Sequence, residues 1–291
     1  MDRVKQILNC ENKLGEGPVW DNRSATLYWL DIEDPFLWSW RVDQGNPENT
    51  RLELAVGCLG LKTDGRLLAA ATQGFAYLDP HTGELQPILT PPEKDPAVRF
   101  NDGAVGPDGG FWAGTLSDEP VNHLYRLAPD LLCEVKESWI RISNGIGWSP
   151  DCTRMYYTDS PMKRIDVFDY DRASASLSNR RTFIDTSEEP GFPDGLTVDS
   201  EGCVWSARWD GWKVTRYNPA GNVLLEVPVP VQRPTSCTFG GENLKDLFIT
   251  SAWTGLPRDE VRHSSAGNLF RLQTHVTGQV EYLFGVPDKR L

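Results

Sequence analysis

The sequence is short of the features that mark several large classes of protein. None of its apolar runs approaches the roughly 20 residues that a membrane-spanning helix needs, and its first residues, MDRVKQILNC, lack the apolar core of a secretion signal. Basic residues are in deficit, because 29 Lys and Arg face 41 Asp and Glu for a formal charge of −12. We therefore expect a cytoplasmic protein that binds neither nucleic acid nor a membrane, since both partners favour a basic surface.

The signatures of several enzyme classes are also missing. There is no Gly-x-Ser-x-Gly nucleophile elbow and no Gly-x-x-x-x-Gly-Lys-Ser/Thr phosphate loop. The six cysteines form no Cys-x-x-Cys pair, so we expect them to be reduced thiols. The four histidines, His81, His123, His263 and His275, fall at predicted turns or outer strands, which argues against a histidine-rich zinc site.

What the sequence does contain is a repeat. Its 291 residues could form two domains or one large all-β domain, and strand–turn–strand signals recur along the whole chain. The equivalent residues at the start of successive hairpins are Glu16, Leu59, Asp102, Asn144, Asp194 and Ser236, spaced by 43, 43, 42, 50 and 42 residues. Units of about 40–50 residues with four strands each are typical of propeller blades. We predict one all-β domain over residues 1–291, a six-bladed β-propeller; the alternative is a β-sandwich with coincidental spacing.

The repeat also predicts where a functional site lies. The first strand of each blade lines the central channel of a propeller, so residues at the starts of these strands converge at one mouth. Four of the six equivalent residues carry a carboxylate or amide group: Glu16, Asp102, Asn144 and Asp194, with Asn101 beside them. Three converging carboxylates would repel one another unless a divalent cation neutralised them, and oxygen ligands suit Ca²⁺, Mg²⁺ or Mn²⁺. The alternative is that each is a turn residue that bonds its own backbone.

Long ordered motifs connect these positions to a known family. They are LGEGPVWD at 14–21, RFNDGAVGPDGGFWAGT at 99–115, SNGIGWSPDCTRMYYTDS at 143–160, FPDGLTVDSEGCVWSA at 192–207 and PTSCTFGGENLKDLFITSA at 234–252. Through them the chain resembles the gluconolactonase, regucalcin (senescence marker protein) and luciferin-regenerating enzyme family over essentially its full length. The resemblance implies a six-bladed propeller with one catalytic divalent cation in the channel, which can be Ca²⁺, Zn²⁺, Mn²⁺ or Fe²⁺.

The resemblance also implies roles for individual residues. The metal ligands of the family fall on Glu16, Asn144 and Asp194, and Asp194 is in addition the candidate general base. The family places Asn101 rather than Asp102 toward the metal and substrate. Asp102 is then left as a supporting or turn residue.

The substrate contacts of the family fall on Arg99, Asn101 and Glu119. Arg99 could instead form a salt bridge with neighbouring acids, and Glu119 could be a solvated loop residue. Trp209, Trp212 and Trp253 lie on predicted rim loops, where they could contact a sugar or simply pack. Trp20, Trp112, Trp148 and Trp205 lie within strands and are expected between blades.

The predicted function is hydrolysis of a sugar lactone, such as a glucono-, xylono- or arabino-lactone, to the sugar acid by a metal-dependent carboxylic-ester hydrolase. Two alternatives remain: a phosphotriesterase that uses the same metal site, and a non-catalytic propeller that binds calcium or a protein partner. We expect a monomer or a weak homo-oligomer whose partner is the small-molecule lactone.

Overall fold

Six small antiparallel sheets surround a central channel, as the repeat predicts. A computed structural model of the chain describes residues 3–42, 44–92, 94–95, 98–261 and 264–286. The chain begins with β1 (Lys5–Leu8). Blade one is β2 (Gly15–Asp21), β3 (Thr26–Asp31), β4 (Phe36–Arg41) and β5 (Glu48–Arg51), and blade two is β6 (Val56–Lys62), β7 (Leu67–Ala71), β8 (Gly74–Leu78) and β9 (Leu85–Leu89). Blade three is β10 (Arg99–Val105), β11 (Phe111–Leu116), β12 (Asn122–Leu127) and β13 (Cys133–Ile140).

The second half of the ring repeats this order. Blade four is β14 (Ser143–Trp148), β15 (Arg154–Asp159), β16 (Arg164–Asp171) and β17 (Ser176–Asp185), with a 3₁₀ turn at Ser160–Met162. Blade five is β18 (Phe192–Val198), β19 (Val204–Trp209), β20 (Lys213–Tyr217) and β21 (Val223–Pro228). Blade six contains β22 (Pro234–Gly240), β23 (Asp246–Ser251), the short helix α1 (Arg258–Val261) and β24 (Leu269–Gln273), and β25 (Leu283–Phe284) follows. The described residues include no helix that is long and apolar enough to cross a membrane.

Strands from both terminal regions pair with distant parts of the chain, a feature that the sequence repeat did not predict. The N-terminal strand β1 pairs antiparallel with β24 and so becomes the outer strand of blade six. The C-terminal strand β25 pairs in parallel with β6 of blade two. The ring is therefore held by hydrogen bonds between segments that lie far apart in the chain, and β24 is not left as an open edge.

Each innermost strand is bulged near the same mouth of the channel. The register shifts fall at Glu16/Val19, Val56/Cys58, Phe100/Gly103, Asn144/Ile146, Pro193/Leu196 and Pro234/Cys237. The candidate residues, expected just before these strands, lie inside them instead, at or beside the bulge. A bulge adds a residue and re-aims the neighbouring side chains, which is why these polar residues can belong to a strand without joining the apolar faces between blades.

The core lies between the blades. Trp20, Trp112, Trp148 and Trp205 are all buried, as predicted from their positions within strands. Trp20 stacks on Phe248 of blade six with ring centroids 5.9 Å apart, and the rings of Trp112 and Trp148 meet edge to face at 6.0 Å across blades three and four. All six cysteines are free thiols, in agreement with prediction.

Two aspartates anchor the chain where it enters the innermost strands of blades one and four. Asp31, the last residue of β3, accepts hydrogen bonds from the backbone N–H groups of Lys13 (2.8 Å) and Leu14 (3.1 Å). Asp159, the last residue of β15, accepts them from Arg141 (3.3 Å) and Ile142 (3.0 Å). These contacts lie two or three residues before Glu16 and Asn144, so the two aspartates position the strands that carry them.

This anchoring predicts a stability effect. Asp159→Ala leaves both backbone N–H groups without their acceptor and should lower the free energy of unfolding by about 1–3 kcal/mol. Asp159→Asn, which keeps one acceptor oxygen, should lose less. Urea unfolding monitored by tryptophan fluorescence measures both differences, and an unchanged midpoint for Asp159→Ala would contradict the anchoring role.

Candidate active site

The three predicted metal ligands converge at the bulged mouth of the channel. Glu16 from β2, Asn144 from β14 and Asp194 from β18 are all buried. The amide of Asn144 donates to Ser160 Oγ at 3.0 Å, and Ser160 Oγ donates to the carbonyl oxygen of Pro193 at 2.7 Å. Ser160 therefore ties the strand that carries Asn144 to the strand that carries Asp194.

Buried carboxyl groups that lie close together determine the electrostatics of this group. Burial raises the pKa of Glu16, and the carboxylates of Asp194 and Asp102 raise it further. Burial and Asp102 likewise raise the pKa of Asp194, against hydrogen bonds from Asn144 and the backbone of Gly195 that lower it. The carboxylates are thus close enough to repel one another, as the repeat predicted.

The same residues fit a divalent cation. Asn144 Oδ1 is buried and has no hydrogen-bond partner among the described residues, while the NH₂ group of that amide is held by Ser160. A buried amide oxygen without a partner carries a free-energy penalty that a ligand can relieve. An amide oxygen and two buried carboxylates form an all-oxygen ligand set of the kind that hard cations take.

The three described histidines lie away from this group of residues. His81 and His275 are exposed, and His123 in the third strand of blade three contacts Ser138 Oγ at 3.0 Å. His263 lies outside the described residues. Within the part of the chain that the structure describes, no three His, Cys, Asp or Glu side chains are arranged to hold a metal ion by themselves. The candidate set consists of two carboxylates and one amide.

Asp102 lies deeper in the channel than its sequence neighbour Asn101. Its Oδ1 accepts the backbone N–H of Gly103 at 2.6 Å, and burial raises its pKa to about 6. It lines a cavity of about 90 Å³ that continues away from the mouth along all six innermost strands and ends at residues 279–282, which cross the channel. Its carboxylate nevertheless raises the pKa values of Glu16 and Asp194, so it adds to the negative charge beside the candidate ligands.

Arg99 and Asn101 form a hydrogen-bonded pair at the start of β10. Arg99 Nη1 donates to Asn101 Oδ1 and to the carbonyl oxygen of Phe100, both at 2.9 Å, and Asn101 Nδ2 donates to the carbonyl oxygen of Ser143 at 2.8 Å. Arg99 forms no ion pair within 4.0 Å among the described residues, so the salt-bridge alternative is not what holds it. It is near enough to Glu16 to lower the pKa of that carboxyl.

Two acidic residues of the rim differ in how they are held. Glu119 is exposed on the loop after β11, and its backbone carbonyl oxygen accepts hydrogen bonds from Ser117 Oγ and Asn122 Nδ2. Glu33, on the loop after β3, accepts a hydrogen bond from Thr254 Oγ1 at 2.7 Å and acts electrostatically on Arg99. Sequence reasoning missed Glu33, because the only signal was its place on a loop that the repeat assigns to the mouth.

The three rim tryptophans have different surroundings. Trp209 packs against the core of blades one and two, with the Arg233 guanidinium 4.6 Å from its ring centroid. Trp253 packs in blade six and donates from Nε1 to the carbonyl oxygen of Glu11 at 2.9 Å. Trp212 is the exposed one of the three. Trp209 and Trp253 therefore serve packing at the rim.

The chain is a six-bladed β-propeller with buried carboxylate and amide side chains at one mouth of its channel. Within this class, residues 14–253 match the SMP-30/Gluconolactonase/LRE-like region. The chain belongs to that family.

Three relatives show how this family varies. Pentonolactonase XacC of Haloferax volcanii is 34% identical over 287 residues, 96% of this chain and 97% of that protein. A 6-deoxy-6-sulfogluconolactonase of Pseudomonas putida is 34% identical over 289 residues, 97% of this chain and 99% of that protein. The crystal structure of a calcium-binding protein, regucalcin, from Agrobacterium tumefaciens superimposes with a TM-score of 0.91 at 29% identity, covering 96% of each chain.

Proposed function

We propose that this protein is a metal-dependent lactonase that hydrolyses sugar lactones to the corresponding sugar acids. The observation that carries the proposal is the partnerless buried oxygen of Asn144 between two buried carboxylates, Glu16 and Asp194, at the channel mouth. The family relationship supports lactone hydrolysis, since two relatives of similar length are named as a pentonolactonase and a 6-deoxy-6-sulfogluconolactonase.

Glu16, Asn144 and Asp194 would hold the cation. When bound, a divalent cation supplies Lewis-acid polarisation of a carbonyl group. The all-oxygen ligand set favours Ca²⁺, Mg²⁺ or Mn²⁺ by its chemistry, and the similar structure from Agrobacterium tumefaciens is described as a calcium-binding protein. Zn²⁺ and Fe²⁺ are the other two ions that the family resemblance implies.

The remaining steps belong to side chains of the chain itself. Asp194 accepts a proton from the attacking water, whose oxygen bonds to the lactone carbonyl carbon. The bond between that carbon and the ring oxygen then breaks, and the ring oxygen takes up a proton to become a hydroxyl group. The product is a sugar carboxylate, and one proton is released to solution.

We expect the sugar hydroxyl groups to contact Arg99, Asn101 and Glu119. Arg99 is held by Asn101 and the Phe100 carbonyl oxygen, so its guanidinium is fixed before a substrate arrives. A fixed donor of this kind stabilises developing negative charge on an oxygen atom without having to reorganise. The exposed carboxylate of Glu119 can accept hydrogen bonds from sugar hydroxyl groups.

The test is lactone hydrolysis in a pH-stat. Metal-stripped protein is assayed with D-glucono-1,5-lactone, D-xylono-lactone and L-arabino-lactone, and then again after each divalent cation is restored. We expect acid release at least about 100-fold faster with the preferred cation than without, because Lewis-acid stabilisation is worth several kcal/mol. The proposal would be contradicted if the protein hydrolysed none of the three lactones with any ion. An assay with a phosphotriester would then test the phosphotriesterase alternative, and measurement of bound metal would test the non-catalytic binding alternative.

A further inference from the structure

Each strand that carries a candidate metal ligand is held by one side chain from the preceding blade of the ring. The acceptor is always the backbone carbonyl oxygen of the residue immediately before the ligand, Glu16, Asn144 or Asp194. The donors and acceptors are Thr235 Oγ1 to Gly15 at 2.5 Å, Asn101 Nδ2 to Ser143 at 2.8 Å, and Ser160 Oγ to Pro193 at 2.7 Å. We call these hydrogen bonds the three carbonyl contacts.

The three donor side chains are buried, and each is itself held by a second partner. These second contacts are Thr235 Oγ1 with Thr250 Oγ1 at 2.8 Å, Asn101 Oδ1 with Arg99 Nη1 at 2.9 Å, and Ser160 Oγ with Asn144 Nδ2 at 3.0 Å. A second hydrogen bond restricts the rotation of a donor, and linked hydrogen bonds strengthen one another in a buried environment. The three carbonyl contacts are therefore fixed features of the folded protein.

The contacts occur in the three blades that carry a candidate ligand. In blades two, three and six, the residues before the equivalent positions are Cys58, Asn101 and Thr235. Among the residues that the structure describes, no side chain donates a hydrogen bond to the carbonyl oxygen of any of these three. All six innermost strands are bulged near this mouth, so a contact needed only to close the ring would be expected in every blade. The distribution follows the ligands rather than the fold.

Peptide geometry explains how a bond to a carbonyl oxygen positions the next residue. A peptide group is planar, so the carbonyl oxygen before a ligand and the Cα atom of that ligand lie in one plane. Holding the oxygen therefore fixes the plane from which the ligand side chain departs. A β-bulge disrupts the ladder locally, and a buried carbonyl group there needs another donor. The three donors supply it at the peptide groups whose orientation matters to the ligands.

Close packing against the following blade restricts two of the ligands from the other side. Gly145 follows Asn144, and a Cβ atom on it would lie 2.6 Å from the carbonyl oxygen of Asp194. Gly195 follows Asp194, and a Cβ atom there would lie 2.1 Å from Ser236 Oγ. Neighbouring innermost strands approach this closely only because these residues are glycines. The peptide group before each of these ligands is held by a hydrogen bond, and the one after it is held by packing.

We propose that Thr235, Asn101 and Ser160 are positioning residues of the candidate metal site, each fixing the peptide group before one ligand. This inference deepens the proposed function, because it rests on the cation site that the function requires. The ligands are ordered when the protein folds, so cation binding does not have to order them. Loss of one contact should therefore weaken cation binding, and hydrogen bonds that support metal ligands change metal affinity by about 10–100-fold.

Metal binding in the absence of substrate tests the inference. Metal-stripped full-length protein is titrated calorimetrically with Ca²⁺, Mg²⁺, Mn²⁺ and Zn²⁺, and the ion that the wild type binds most tightly is used for the variants. Thr235→Val keeps the shape of the side chain but removes its hydroxyl group, and we expect it to raise Kd by about 10-fold. Thr235→Ser keeps the donor and should restore a Kd close to that of the wild type.

Two further variants complete the series. Thr215→Val makes the same exchange in β20 of blade five, at a buried hydroxyl group without a hydrogen-bond partner among the described residues, and should leave Kd unchanged. Ser160→Ala should raise Kd by more than Thr235→Val does, because Ser160 holds the amide of Asn144 as well as the Pro193 carbonyl oxygen. The thermal midpoint of each metal-free variant is measured beside its Kd, so that a loss of stability is recognised as such.

The outcomes separate this inference from the proposed function. An unchanged Kd in both Thr235→Val and Ser160→Ala overturns the inference, and a lower thermal midpoint in that case assigns the contacts to stability alone. An equal rise of Kd in Thr215→Val or in Thr235→Ser also overturns it. Wild-type protein that binds a cation but hydrolyses no lactone contradicts the lactonase function and leaves the inference standing. Wild-type protein that binds none of the four ions contradicts both.

Discussion

Asp194→Asn should abolish measurable lactone hydrolysis while the propeller stays folded. The substitution is nearly isosteric, but an amide cannot accept the proton of the attacking water and is a weaker ligand for a cation. Loss of a general base alone lowers rates by about 10²–10⁴-fold. The measurement is kcat/KM on the preferred lactone with the activating ion at saturation, together with the thermal unfolding midpoint of the variant.

A control separates this effect from a general loss of charge. Asp171→Asn changes an exposed turn aspartate at the end of β16, whose carboxylate accepts the backbone N–H of Ala173 at 2.9 Å far from the mouth. This variant should keep the full wild-type rate. Near-normal turnover by Asp194→Asn with the ion at saturation would show that Asp194 is not the base.

Much of this fold could be predicted because it repeats. Each blade carries its own turn signals, so six hairpin patterns in the sequence each indicated the same architecture. The spacing of Glu16, Asn144 and Asp194 predicted that they lie at one mouth of the channel. The bulges could not be predicted in the same way. They depend on pairing register, which local composition does not encode, and they turn residues expected before the strands into residues within them.

The long-range features escaped sequence reasoning for a physical reason. Ring closure by β1 and the C-terminal segment that crosses the channel at residues 279–282 depend on contacts between distant parts of the chain. Asp31 and Asp159 look like ordinary turn aspartates in the sequence, and only the structure shows that they hold the backbone ahead of Glu16 and Asn144. The orphaned oxygen of Asn144, on which the proposed metal site depends most, is likewise a property of packing.

Glu16→Gln should stabilise the metal-free protein at neutral pH and remove its stabilisation by metal. In metal-free protein the pKa of Glu16 is raised by burial and by the carboxylates of Asp194 and Asp102, so the ionised form destabilises the folded state. A neutral amide of nearly the same shape removes this charge. We expect the thermal midpoint of the metal-free variant to rise by about 1–2 °C for each kcal/mol gained, because the unfolding entropy of a domain of 291 residues is about 0.6 kcal/mol/K.

The pH dependence has a definite sign. A carboxyl group whose pKa is raised on folding costs no stability below its unfolded pKa of 4.5, and the cost grows as the pH rises above that value. The difference in midpoint between metal-free Glu16→Gln and metal-free wild type should therefore be small near pH 4.5 and increase toward pH 7. Differential scanning fluorimetry across this range measures the difference directly and cancels the titration of all other groups that the two proteins share.

Glu281→Gln provides the matched comparison. Glu281 is a further carboxyl group of the channel, at the end lined by residues 279–282, where it accepts a hydrogen bond from Thr238 Oγ1 at 3.1 Å and burial raises its pKa to about 7. Replacing it also removes a carboxylate that burial disfavours, but it touches none of the candidate ligands. At a free metal concentration of 100 times Kd, the free energy of unfolding of Glu281→Gln should rise by about 2.7 kcal/mol, as expected for the wild type. That of Glu16→Gln should rise far less. If metal raised the free energy of unfolding of the two variants equally, Glu16 would be excluded as a ligand, because loss of a ligand weakens metal binding to the folded protein and so reduces the stabilisation.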